Sequence, residues 1–128
     1  MVAAQKRYAE RAIAPTLSKV EIEGLRKEAK AILPNRVAEL AAKHSLHYGR
    51  ITIRATRSKW GSCSATGNIS LSLYLMQLPE HLRDYVIIHE LCHTVHHNHS
   101  PRFHALVNQL TMGQEKALAR ELRNYTIA

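Results

Sequence analysis

Within eleven residues, the run His89-Glu90-Leu91-Cys92-His93 and the later His99 gather three imidazoles and one carboxylate. On an α-helix, residues four apart lie about 40° apart around the axis and about 6 Å along it, so His89 and His93 can turn both rings toward one ion. Glu90, on the same turn, is placed to take a proton from water held by that ion without ligating it. Three nitrogens and one open position describe a catalytic zinc site. His97 would extend the stripe, but it lies roughly 12 Å along the axis from His89, too far to share an ion. The third ligand must therefore follow the end of the helix. Asn98 tolerates the left-handed backbone that ends helices, His99 is next, and Ser100-Pro101 can cap and open another helix. Glu115 is a second candidate for third ligand, set back by an intervening helix.

Nine histidines in 128 residues raise the chance of an accidental match, and the plain alternative is a pair of satisfied core histidines. The surroundings favour a metal. Leu82, Tyr85, Val86, Ile87, Ile88 and Leu91 make the stretch before His93 apolar almost all round, which predicts a buried helix. Two histidines and a glutamate buried together need partners, and a shared metal satisfies them better than separate hydrogen bonds.

Other elements must carry this helix and face it. Pro79 introduces it, with Glu80 and Asp84 near its positive end. Upstream, Ile51, Ile53 and Ala55 alternate with Thr52, Arg54 and Thr56, and Ile69, Leu71, Leu73 and Leu75 alternate with Ser70, Ser72 and Tyr74. This pattern predicts two half-buried strands. Residues 57–68 between them are rich in turn formers and hold Trp60; they read as a long loop that either carries function or plugs the edge of a small core. Ser18-Lys19-Val20-Glu21 has capping-box spacing and opens a helix with apolar positions Ile22, Leu25, Ala29, Ile32, Leu33, Val37, Leu40 and Ala41. Pro34 is expected to kink or split it. Residues 1–17 read as an arm. After Ser100, residues 101–110 and 114–124 read as two helices separated near Gly113. The order predicts an α+β fold: N-terminal helices, a short antiparallel sheet, the metal helix and C-terminal helices.

At 45% hydrophobic and 22% charged, without repeats or low-complexity runs, residues 1–128 are expected to form one domain. No stretch suits a signal peptide and none has 18 consecutive apolar residues, so a cytoplasmic protein without a membrane span is expected. Cys63 and Cys92 should then be thiols. Eighteen Lys and Arg against ten Asp and Glu give a formal charge of +8, spread without an arginine-rich run. That supports weak association with acidic surfaces, nucleic acid among them, and defines no substrate.

Trp60-Gly61-Ser62-Cys63-Ser64, Gly67-Asn68-Ile69-Ser70-Leu71, the run from Tyr85 to His93, and Asn98-His99-Ser100 with Phe103 together resemble the YgjP-like zinc metallopeptidase family. Its members are small cytoplasmic proteins of zincin fold. The resemblance spans about residues 18–110. It implies that His89, His93 and His99 bind Zn2+ and that Glu90 is the catalytic acid/base, activating zinc-bound water to hydrolyse a peptide or protein substrate. It also implies that the strand over residues 68–75 lies along the cleft and pairs with an extended peptide. Two departures stand out: a shorter N-terminal region, from which part of the sheet is expected to be missing, and His104 where a large aromatic usually follows Phe103. The oxyanion donor stays open among Tyr48, Tyr85, His97, His104 and Tyr125. Two other readings compete. A metal-dependent nuclease of the three-histidine type would leave Glu90 unexplained, and a non-catalytic zinc-stabilised module binding nucleic acid or protein would keep metal without turnover.

Overall fold

A computed structural model describes residues 17–127, so the arm expected over residues 1–17 falls, but for Leu17, outside the described residues. Helix α1 (Lys19–Lys43) begins as a capping box should: the Ser18 hydroxyl accepts from the Glu21 N–H at 3.1 Å, and Glu21 Oε1 accepts from the Ser18 N–H at 2.8 Å. Its buried stripe is Ala29, Leu33, Val37, Leu40 and Ala41. The split expected at Pro34 does not occur. Proline removes one N–H from the ladder, and buried Leu33 and Val37 on either side hold the turn by packing. The helix closes with Ser45 at φ 56° and the Leu46 N–H donating to the Ala41 carbonyl at 2.8 Å.

Three strands follow, in spatial order β1-β3-β2: β1 (Ile51–Arg54) is parallel to β3 (Ile69–Ser72), and β2 (Gly61–Cys63) is antiparallel to it. The fold is α+β as expected, with a mixed sheet in place of a wholly antiparallel one. Strand β2 lies inside residues 57–68, which read as loop; three residues with no apolar alternation give a period-two reading nothing to detect. Strand β3 also stops early. The Ser72 hydroxyl donates to the Thr56 carbonyl at 2.7 Å and accepts from the Tyr74 N–H at 3.2 Å, turning Leu73–Gln77 into a 3-10 helix. As the central strand, β3 has partners on both sides and cannot offer the open edge expected of residues 68–75; the edge beside the helix that carries His89 and Glu90 belongs to β2.

Helix α2 (Glu80–Cys92) packs against α1, β2, α3 (Pro101–Leu110) and α4 (Glu115–Leu122). All six apolar positions expected on it are buried. Leu82, Ile87 and Leu91 are at most 1% exposed, and each such side chain stabilises the fold by about 1.5–3 kcal/mol. Their packing fixes the helix rotation and therefore the direction of its polar face. A bidentate clamp adds to this: Arg36 Nε and Nη2 donate to Asp84 Oδ1 and Oδ2 at 2.9 and 2.7 Å, which raises the guanidinium pKa beyond its ordinary value. No described helix is long and apolar enough to cross a membrane.

Candidate active site

Helix α2 ends at Cys92, with His93 as its C-cap at φ −69° and ψ −14°, earlier than a break at Asn98 would place it. The last turn tightens: the His93, Thr94 and Val95 N–H groups donate to the carbonyls three residues back, and the Thr94 hydroxyl adds a 2.6 Å bond to the Leu91 carbonyl. Asn98 is not in the left-handed region, which among the described non-glycine residues holds only Ser45 and Met112. The chain then turns back and reaches α3, where the Ser100 hydroxyl accepts from the Phe103 N–H at 3.3 Å and Pro101 takes the first helical position, as the sequence predicts.

This path brings His89, His93 and His99 together. One ring nitrogen from each lies within 4.8 Å of the others, a cluster able to hold a metal ion. Neither His97 nor Glu115 joins it; Glu115, at the start of α4, instead meets His104 Nδ1 at 2.6 Å. His104 is an exposed partner of that carboxylate, its ring 6.1 Å from that of His99.

The donor chemistry suits a metal. His93 Nδ1 lies 3.0 Å from the His96 carbonyl, which can only accept, so Nδ1 carries the proton and Nε2 keeps the lone pair that a metal needs. Burial holds the His93 pKa below its ordinary value, which favours the neutral imidazole required for ligation. His89 Nδ1 sits 3.2 Å from Glu90 Oε2, leaving its Nε2 free in the same way. Phe103, fully buried, stacks on His93 at 4.1 Å and meets His89 and His99 edge-on at 4.9 and 5.1 Å, so one ring braces all three imidazoles. That bracing role was not legible in the chain, where Phe103 is one apolar residue in a short helix.

Glu90 is 6% exposed and faces β2. A Cβ built on Gly61 would stand 3.2 Å from Glu90 Cγ, from Leu71 Cδ2 and from the Ser70 carbonyl, so this glycine lets the strand approach the carboxylate. Trp60, Gly61, Tyr85, Val86, His89, Glu90 and Leu122 line a cleft of about 170 Å³. Of the five candidate oxyanion donors, Tyr85 alone lines it, and burial pushes its phenol pKa up. Cys63 and Cys92 are free thiols; burial pushes Cys92 up to about 12, and it lies outside the histidine cluster.

A small α+β fold that presents three clustered histidines and a buried glutamate beside an edge strand has the form of a metal-dependent hydrolase. A crystal structure of the metallopeptidase zymogen abylysin of Pyrococcus abyssi is similar, with a TM-score of 0.62, 21% identity, and coverage of 72% of this chain and 93% of that one. The zymogen jannalysin of Methanocaldococcus jannaschii gives 0.60, 23%, 70% and 92%. At such identities the likeness shows the shared fold. Residues 4–125 match the model of the YgjP-like metallopeptidase domain, and the chain belongs to that family. No curated protein gives a significant sequence match.

Proposed function

We propose that the chain is a zinc metallopeptidase, with His89, His93 and His99 as ligands and Glu90 as general acid/base. The observation that carries this is the three-histidine cluster with a buried carboxylate at its side, in a cleft walled by an edge strand. When bound, Zn2+ supplies a Lewis acid and lowers the pKa of water toward about 7. Glu90 takes the proton of the attacking water and returns it to the leaving amine. Its burial keeps bulk water from competing for that proton. Tyr85, the one candidate donor that lines the cleft, is the donor we assign to the developing oxyanion.

Strand β2 suits an extended peptide. The Trp60 carbonyl accepts from the Ser72 N–H at 2.9 Å and the Ser64 N–H donates to the Asn68 carbonyl at 2.8 Å, so residues 60, 62 and 64 turn their backbone groups toward β3. By the strand alternation, Gly61 and Cys63 turn theirs to the open edge, where a substrate backbone can pair. Trp60, Val86 and Leu122 give the cleft apolar walls that suit an apolar substrate side chain.

The nuclease reading is the weaker one, because no Lys or Arg lines the cleft that holds Glu90 itself. A binding module would use Glu90 only to orient His89, through the 3.2 Å contact to its Nδ1, so turnover is what separates the two readings. We also read residues 1–128 as one domain, supported by the family match over residues 4–125, and place the protein in the cytoplasm. The test is a mixed peptide and denatured-protein library digested by the zinc-loaded, chelator-stripped and reloaded protein, with cut sites read by mass spectrometry. Cuts lost on stripping and restored by zinc are expected. A stoichiometrically loaded protein that cuts nothing overturns the reading.

A further inference from the structure

Away from the cleft, the outward face of the sheet is built of hydroxyls and cations. Ile69 and Leu71 are buried in the core, so Ser70, with its register partners Thr52 and Ser62, and Arg54 face the other way; Ser72 shares that side but is buried, its hydroxyl taken by the Thr56 carbonyl and the Tyr74 N–H. Two adjoining concavities of about 290 and 390 Å³ cross this face and share Arg54, Ser62 and Ser70. The first adds Thr56 and Lys59, and the second adds Arg50, Thr52, Thr66 and Asn68.

Charge is one-sided here. Between Glu39 and Glu80 the chain has no acidic residue, yet it holds Lys43, Arg50, Arg54, Arg57 and Lys59. Among the described residues no carboxylate pairs with Arg50, Arg54, Arg57 or Lys59, whereas Arg26 and Arg36 of α1 are both paired. Arg54 Nε donates only to the Ser70 hydroxyl, at 3.3 Å. Guanidinium, ammonium and hydroxyl groups together match an acceptor-only oxyanion. No aromatic ring lines either concavity, so the surface has no platform for stacking bases.

We propose that the outward face of the sheet binds the sugar-phosphate backbone of a nucleic acid without sequence preference. Arg50 and Arg54 share one face of the extended chain leading into and along β1, about 13 Å apart at about 3.3 Å per residue, close to four axial rises of about 3.4 Å in a duplex. An acidic peptide is the rival polyanion, but peptides add to sheets at a free edge, and these concavities lie on the face. Gly61 lines both the first concavity and the cleft, so a bound nucleic acid lies beside the candidate active site. The proposal stands apart from the peptidase reading, because its test reads binding alone.

The test is fluorescence anisotropy of a labelled random-sequence duplex with the full chain, titrated across salt concentrations. Three groove cations, Arg50, Arg54 and Lys59, predict a slope of log affinity against log salt of about −2.7, and Arg50→Ser with Arg54→Ser should reduce its magnitude by about 1.8. Arg50→Lys with Arg54→Lys should retain the slope, as should Lys116→Ser with Arg120→Ser on α4. The proposal is overturned by absence of binding at low salt, by an equal loss in the α4 variant, or by an equally groove-dependent affinity for polyglutamate.

Discussion

The two walls of the cleft are made in opposite ways. On the helix side, the proposed chemistry rests on side chains held in place by packing: His93 is 7% exposed, Glu90 6%, and Phe103 fully buried behind the imidazoles. On the strand side, β2 contributes backbone, and its key residue, Gly61, matters for what it lacks. One wall should fail when atoms are removed and the other when atoms are added.

Truncation on the helix side should have the largest effect. His93→Ala removes the proposed ligand whose tautomer is fixed by the His96 carbonyl, and the variant should lose stoichiometric metal, measured by elemental analysis, together with all turnover. Phe103→Ala leaves the ligands in place but empties the space behind them. It should cost about 3–5 kcal/mol of unfolding free energy in denaturant titration, with weakened metal retention. A loss below about 1 kcal/mol would show that the histidines are held without the ring.

Addition is the test of the other wall. Gly61→Val places atoms against Glu90 Cγ and against the Ser70 carbonyl, which belongs to the central strand and cannot yield as a side chain would. The variant should keep its metal and lose about tenfold to a hundredfold in kcat/KM, as a displacement of about 1 Å at a catalytic group does. Unchanged kinetics would mean that β2 stands further from the reacting atoms than the geometry indicates.

The smallest effect sharpens the contrast within α2 itself. Cys92 lies one residue from His93, buried and pushed up to about 12. A raised pKa leaves the thiol protonated below that value, so at pH 8 only about one part in 10⁴ is thiolate. Alkylation of Cys92 in the folded protein should proceed only through unfolding; rapid labelling at pH 8 would show that this face of the helix opens.

The same asymmetry explains what the sequence made legible. The helix wall is contiguous and periodic: four chemical residues within eleven positions, preceded by an apolar run whose members are all buried. The turn after it was readable in its outcome, His99 brought back to the cluster, but not in its device, since tightening over residues 93–95 uses ordinary backbone that no residue type advertises. Strand β2 was unreadable because three residues of Gly, Ser and Cys carry no periodicity. The parallel pairing of β1 with β3 depends on where β2 inserts, so it was hidden with it. A signal did exist: glycine after tryptophan in a long segment permits a close backbone approach, and Glu90 is what approaches.

In the proposed function, the Glu90 carboxylate beside three histidines activates water for peptide hydrolysis. The most direct measurement compares zinc-loaded wild type with Glu90→Gln, prepared identically and matched for metal content, on the peptides that the wild type cuts. Glu90→Gln is predicted to retain its metal and to lose roughly 10²–10⁴-fold in kcat. Equal cleavage by both proteins would contradict the assignment of Glu90 as the base.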